Sequence, residues 1–162
     1  TADVTDESAM EKVIKHIAMT WSRIDILHNN VGISVEGGDT TLENISTEAF
    51  ERIFDVNLLG TMLASKHTLP IMRQQKSGAI INISSASAYW TGHPTVLYPA
   101  SKMAMVSFTR QIAIHNAIPA ACWASRDSCP SGACGMLHIK IATSGPMVRP
   151  ILEIVEPRTA EL

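Results

Sequence analysis

Ser77-Gly78-Ala79-Ile80-Ile81-Asn82-Ile83-Ser84-Ser85 is the stretch on which the fold turns. Ser and Gly introduce an uncharged, apolar and β-branched run from Ala79 to Ser84 that is too short for a globular helix. It reads as a strand buried on both faces, central in a parallel sheet. On its C-terminal side a loop with Gly92 and Pro94 leads into a helical pattern from about Leu97 to Asn116, with Pro99 tolerated in the first turn. On its N-terminal side Phe50, Ile53, Phe54, Leu58, Met62 and Ala64 share one broad helical face, and Ser46 or Thr47 with Glu48 marks the start. Pro70 is expected to kink or break that long helix, because it removes a backbone donor. Further back, Asp25-Ile26-Leu27-His28 is too short for a helix and stops at the turn-forming Asn29-Asn30-Val31-Gly32, so it reads as a short buried strand followed by a loop to about Ser46. Met10, Val13, Ile14, Ile17 and Trp21 recur at helical spacing before it, giving a helix from about Glu7 to Ser22 with Thr5 as cap and acids in the first turn. Helix, strand, helix, strand, helix is the order of an open doubly wound α/β sheet.

The chain has 162 residues, enough for one domain of ordinary size. With 46% hydrophobic and 17% charged residues it has the balance of a folded protein rather than a disordered one. Lys and Arg total 13 against 15 Asp and Glu, so there is no global positive field for nucleic acid or anionic lipid. The first residues carry no basic and apolar leader and read as an interior start rather than a secretory signal. The uncharged span between Lys76 and Lys102 is interrupted too often by Ser, Asn, Gly, His and Pro to read as a membrane helix. Cys122, Cys129 and Cys134 cannot all pair within one chain, and the expectation is a reducing, cytoplasmic compartment. All three Cys fall beyond Ala117, where the regular patterning stops and only Leu137 to Ala142 offers a plausible strand.

Tyr98 and Lys102 are four apart on a helix and lie on the same face, close enough for the ammonium to act on the phenol. A free phenol titrates near pH ~10 and is a poor base at neutrality, whereas a fixed neighbouring cation favours the phenolate. Such a pair is a tuned acid/base, with a surface helix pair as the plain alternative. Ser85 ends the buried strand, where open α/β sheets place their ligands, 13 positions before Tyr98. A hydroxyl there can hold a substrate carbonyl while Tyr98 moves the proton. Ser85 alone would read as a strand-end cap.

Asn29-Asn30-Val31-Gly32, Asn57 within Asp55-Val56-Asn57-Leu58, Ile83-Ser84-Ser85 and Tyr98-Pro99-Ala100-Ser101-Lys102 together resemble, in order and spacing, the short-chain dehydrogenase/reductase family over about Thr1 to Ala117. The resemblance implies a partial Rossmann-like parallel sheet lacking its first strands. Residues 1–117 would form part of an NAD(P)-binding domain, and 118–162 a divergent tail. It also implies that Tyr98 is the general acid/base, Ser85 the carbonyl-orienting hydroxyl, and Lys102 the group that lowers the Tyr98 pKa and holds the nicotinamide ribose. Asn57 resembles the family's helix asparagine, whose backbone helps hold a relay water; a polar residue on a helix surface is the competing reading. Asn29 would mainly brace the sheet, while Val31, in place of the family's Ala, and Gly32 would lie along the adenosine side of NAD or NADP. Asp3-Val4 resembles the pair at the end of the family's third strand, where the carboxylate accepts from the adenine amino group; an acid at a helix start competes with that. Tyr89, Trp90, His93 and Val96 would help line the substrate side, a bulky apolar lining suited to a hydrophobic or cyclic alcohol or ketone. Met103 and Met105 read as core or interface.

The activity so implied is interconversion of a secondary alcohol and a ketone by hydride transfer with NAD or NADP, in a homo-oligomer, dimer or tetramer. The alternative is a non-catalytic truncated fragment or isoform acting by subunit association. Two features depart from the family. No Gly-rich turn for the pyrophosphate occurs in these residues, equivalent to two missing strand-helix units or roughly 60 residues at about 30 each. After Ala117 the family continues into a further central strand and a Pro-Gly turn, where this chain has Ile118-Pro119-Ala120-Ala121 and later a reversed Ser144-Gly145-Pro146. Such an abrupt change is what a reading-frame shift or alternative terminal exon produces. Cys122, Cys129, Cys134 and His138 suit zinc by ligand type but lack the usual Cys-x-x-Cys hairpin, so no metal is expected. His16, His28, His67, His93 and His115 make no motif.

Overall fold

A computed structural model describes residues 1–90, 92–117 and 138–144, the last segment and residue 117 as backbone only. Helix α1 spans Glu7–Trp21. Its cap is Asp6, whose carboxylate accepts from Ala9 N at 3.1 Å. The expected cap, Thr5, instead donates its N–H and hydroxyl to the Asp3 carboxylate at 2.9 and 2.8 Å, which leaves Asp6 in the extended conformation a cap requires.

Strand β1 is Ile26–Asn29 and leads through two short 3-10 turns to helix α2, Thr47–Phe54, capped by Ser46. The long helix read from the sequence is interrupted at Asp55–Leu59, which winds as a π-helix before α3 takes over from Gly60 to Gln75. Pro70 does not break it: α3 runs on through that position. Pro70 is exposed, on the side of α3 away from the core. The apolar stripe of this segment also divides. Ile53 and Ala64 are buried, whereas Phe50 and Met62 are exposed.

Strand β2, Ala79–Ser85, leads through a 3-10 turn at Ala86–Ala88 to helix α4, Leu97–Ala117. Strand β3, His138–Ser144, lies where the sequence offers its one strand beyond Ala117. The sheet order is β1-β2-β3, all parallel, with β2 in the middle; Leu27 pairs with Ile80, Asn29 with Asn82 and Ser85 with Ser144. Ile80, Asn82 and Ser84 on one face of β2 are fully buried, while Ala79, Ile81 and Ile83 on the other are half-buried, so burial is one-sided among the described residues. Leu69 and Met72 of α3 and Ala113 of α4 close over Ile80, joined by Leu27 and Ile112. A second cluster of Ala49, Ile53 and Leu97 joins α2 to the start of α4. This is a partial α/β Rossmann arrangement, and it brings the carboxyl ends of β1 and β2 beside the first turns of α4. Among the described residues no helix is long and apolar enough to cross a membrane.

Candidate active site

Polar bridges fix the carboxyl end of the sheet to α4. Asn29 Nδ2 donates to Asn82 Oδ1 at 2.8 Å, and Asn82 Nδ2 donates to Thr109 Oγ1 at 2.9 Å, a chain from β1 through β2 into the helix. Ser84 Oγ donates to the Lys102 carbonyl at 3.0 Å. Asn57 ties the loop beyond β1 to the same helix. The π-winding turns it fully inward, and its side-chain amide matches a peptide group: Oδ1 accepts from Ile33 N at 2.7 Å, and Nδ2 donates to Ile33 O at 2.9 Å and to Ser101 Oγ at 3.0 Å. An aspartate could accept but not donate there. The surface reading of Asn57 is therefore overturned: it is 0% exposed.

Lys102 is 2% exposed, and its Nζ donates to the Ile83 carbonyl at 3.0 Å. No carboxylate pairs with it among the ion pairs of the described residues. Burial pushes the ammonium below the usual lysine pKa. Its Nζ lies 5.6 Å from the centroid of the Tyr98 ring, within cation–π range. The Tyr98 to Lys102 spacing thus produces a contact across the inner, sheet-facing side of α4. Gly32 is held against the same ammonium, since a Cβ on it would come within 3.1 Å of Lys102 Nζ and 3.3 Å of Asn57 Oδ1. The backbone at Gly32 therefore approaches a buried cation with nothing between them.

Ser85 lies at the end of β2, where its Oγ accepts from Ser87 N at 3.3 Å and Ser87 Oγ at 3.0 Å. With both interactions received, its own hydroxyl hydrogen is left to donate elsewhere. Ser85 lines a cleft of about 330 Å³ with Ser87, Trp90 and His93. Tyr98 and Lys102 are not among the residues that line this cleft; the ring of Tyr98 stands 6.4 Å from that of His93. Of the four residues expected on the substrate side, Trp90 and His93 line the cleft, and Tyr89 and Val96 do not.

A second cavity of about 210 Å³ opens between α1, β1 and the π-segment, lined by Val4, Leu27, Asn29, Val31 and Val56 among others. Gly60 admits Val4 there, because a Cβ on Gly60 would come within 2.9 Å of the valine methyl. Asp3 is turned to Thr5, and the Thr5 N–H and hydroxyl hold its carboxyl below the usual range. Met105 is core and Met103 is partly exposed on the same helix. Cys122, Cys129, Cys134, Gly145 and Pro146 lie outside the described residues, as do the side chain of His138 and with it the zinc set.

Asp39 was not legible as a site residue. It is 4% exposed, and its carboxylate accepts from Val96 N at 3.1 Å, Leu97 N at 2.9 Å and Tyr98 N at 2.7 Å. Burial pushes this carboxyl up, but the backbone donors of α4 and the Thr95 hydroxyl outweigh it, so the group sits below the usual carboxylate range. Its only sequence signal is an acid flanked by Gly38 and Thr40 in a loop, a pattern common to ordinary turns.

The fold and this polar cluster define a class, and sequence comparison narrows it. The family profile described as short chain dehydrogenase matches residues 1–118, and the chain belongs to that family. It is 33% identical over 112 residues to secoisolariciresinol dehydrogenase of Forsythia intermedia, covering 69% of this chain and 40% of that protein. It is 33% identical over 109 residues to 7alpha-hydroxysteroid dehydrogenase of Bacteroides fragilis, covering 67% of this chain and 42% of that protein. The solved structure of ElxO with NADP bound superposes with a TM-score of 0.66 at 34% identity, over 70% of this chain and 45% of that one. The chain spans less than half the length of these relatives.

Proposed function

We propose that these residues form the catalytic segment of an oxidoreductase that interconverts a secondary alcohol and a ketone with NAD or NADP. The observation that carries the proposal is the buried Lys102 ammonium, unpaired with any carboxylate among the described ion pairs, beside the Tyr98 ring and against the Gly32 backbone. The donor set fits a nicotinamide nucleotide. Lys102 uses one ammonium hydrogen on Ile83 O, and the others suit ribose hydroxyls. The apolar cavity at Val4 and Val31 suits the adenosine side, with Asp3 preceding Val4 in the chain and Asn29 bracing the strand below. The bound cofactor supplies or accepts the hydride.

In the reducing direction Ser85 donates its free hydroxyl hydrogen to the substrate carbonyl oxygen, and Tyr98 delivers the proton to that oxygen as the carbon receives hydride. Oxidation runs the same steps backwards. Lys102 keeps a positive charge beside the phenol, and Asn57 holds the loop at Ile33 in register with α4 while its backbone serves the proton relay. Trp90 and His93 favour a hydrophobic or cyclic substrate.

Titration with NADH and NADPH, followed by tryptophan fluorescence, tests cofactor binding. In the full chain Tyr98→Phe should lower turnover by about 10²- to 10⁴-fold while leaving cofactor affinity within about twofold. Turnover near the wild-type rate in that variant would reject the assignment. A second reading, association with further copies of the chain, is favoured by one observation: Phe50, Leu59 and Met62 leave large apolar side chains exposed on α2, the π-segment and α3.

A further inference from the structure

We propose that Asp39 is a positioning residue for the reaction read above: from the loop after β1 it fixes the entrance of α4, so that Tyr98 stands over Lys102. The proposal rests on the oxidoreductase reading for its consequence but not for its geometry. An ordinary helix cap is local, accepting from amides two or three residues ahead. Here the acceptor comes from 57 to 59 positions earlier in the chain and takes all three amides at the start of the helix.

Oδ1 takes Val96 and Leu97, and Oδ2 takes Tyr98, so neither oxygen can be lost without freeing a donor. The shortest of the three, 2.7 Å, is made by the Tyr98 amide itself, and charge-assisted bonds of this kind are the strong ones. That contact places the Tyr98 Cα one bond from an anchored nitrogen. Lys102, a turn later, is fixed independently through Ile83 O and Ser84 Oγ. The relative position of phenol and ammonium thus depends on two anchors, of which Asp39 is one.

Just ahead of the anchored amides, Thr95 Oγ1 lies 2.8 Å from His93 Nδ1 and Thr95 N donates to the same ring nitrogen at 3.4 Å, which holds the cleft residue His93 against the turn that Asp39 fixes. Asp39 also belongs to the loop that begins at Gly32, and the Ser34 hydroxyl approaches its Oδ2 at 3.4 Å. The segment that meets Lys102 and the helix that carries it are tied at both ends.

The test compares Asp39→Ala and Asp39→Asn with wild type in the full chain, by steady-state kinetics, NADPH titration and NMR. Asp39→Ala is expected to lower kcat tenfold or more, with NADPH affinity within about twofold. The downfield Tyr98 amide resonance and the nuclear Overhauser contact between the Tyr98 ring and the Lys102 side chain should both disappear. Asp39→Asn keeps one acceptor oxygen and should recover at least a third of the lost logarithm of kcat, a rescue that generic destabilisation does not produce. Wild-type kcat in Asp39→Ala, or an unchanged contact between ring and ammonium, overturns the proposal. If Asp39→Ala fails to fold, Asp39→Asn decides by NMR, where a shifted Tyr98 amide is expected and an unmoved one overturns the proposal. Should the wild-type protein turn over no carbonyl substrate, the oxidoreductase reading falls, and the two NMR signals still decide whether Asp39 places Tyr98.

Discussion

An ammonium that is 2% exposed and lacks a carboxylate among the described ion pairs works against the fold that holds it. The Ile83 carbonyl compensates only in part, and the depressed pKa of Lys102 records the remainder. Lys102→Met should therefore raise stability at neutral pH by about 1 kcal/mol or more while removing activity, the usual trade between a strained site and a comfortable core. The pH dependence has a definite sign. A lysine whose folded value is lowered binds fewer protons folded than unfolded as pH climbs through that value toward about 10.4, so wild-type stability gains there. Denaturant melts across the alkaline range should show that gain in the wild type and not in Lys102→Met; a gain of equal size in both would mean the ammonium is better solvated than its burial implies.

At the level of elements, the chain Asn29, Asn82, Thr109 locks β1 and β2 to α4 beside the apolar contacts of Ile80. Truncating its middle member leaves the half-buried Asn29 amide without its acceptor and takes from the buried Thr109 hydroxyl, which still donates to Met105 O at 2.7 Å, the donor it accepts from. Asn82→Ala should cost about 2 kcal/mol or more in urea unfolding, and more than Asn29→Ala, whose own site is only half-buried. Equal losses would place the weight of the chain on the β1 side. These elements also show what could be read in advance. Tyr98 and Lys102 share a face by spacing alone, and β2 announces itself by its apolar β-branched run. The anchoring of α4 by Asp39 was invisible, because its partners are main-chain amides nearly 60 residues away that carry no side-chain signature. The continuity of α3 through Pro70 could not be read in advance either, because whether a proline breaks a helix or only bends it is settled by tertiary packing. The π-winding at Asp55–Leu59 has no compositional mark either, since Asp-Val-Asn-Leu-Leu continues a helical pattern as well as any.

Across the whole molecule, α3 and α4 lean on the Ile80 face of the sheet, and the stripe of Phe50, Leu59 and Met62 is left outside that core. Phe50 stacks on Phe54 at 4.5 Å between centroids, a ready apolar ridge. Sedimentation should find the chain self-associating, with Phe50→Asp combined with Met62→Asp shifting it toward monomer; a wild-type monomer at all accessible concentrations would refute this. The irregular five-residue coil ahead of α3 has its own bearing on the assembly, because it acts as a shim. A wide turn of this kind carries one residue more than α winding needs, so deleting one residue should restore ordinary winding and keep Leu69 and Met72 over the sheet. The inward setting of Asn57 would be lost instead, so trimming this stretch should spare the core and damage the site.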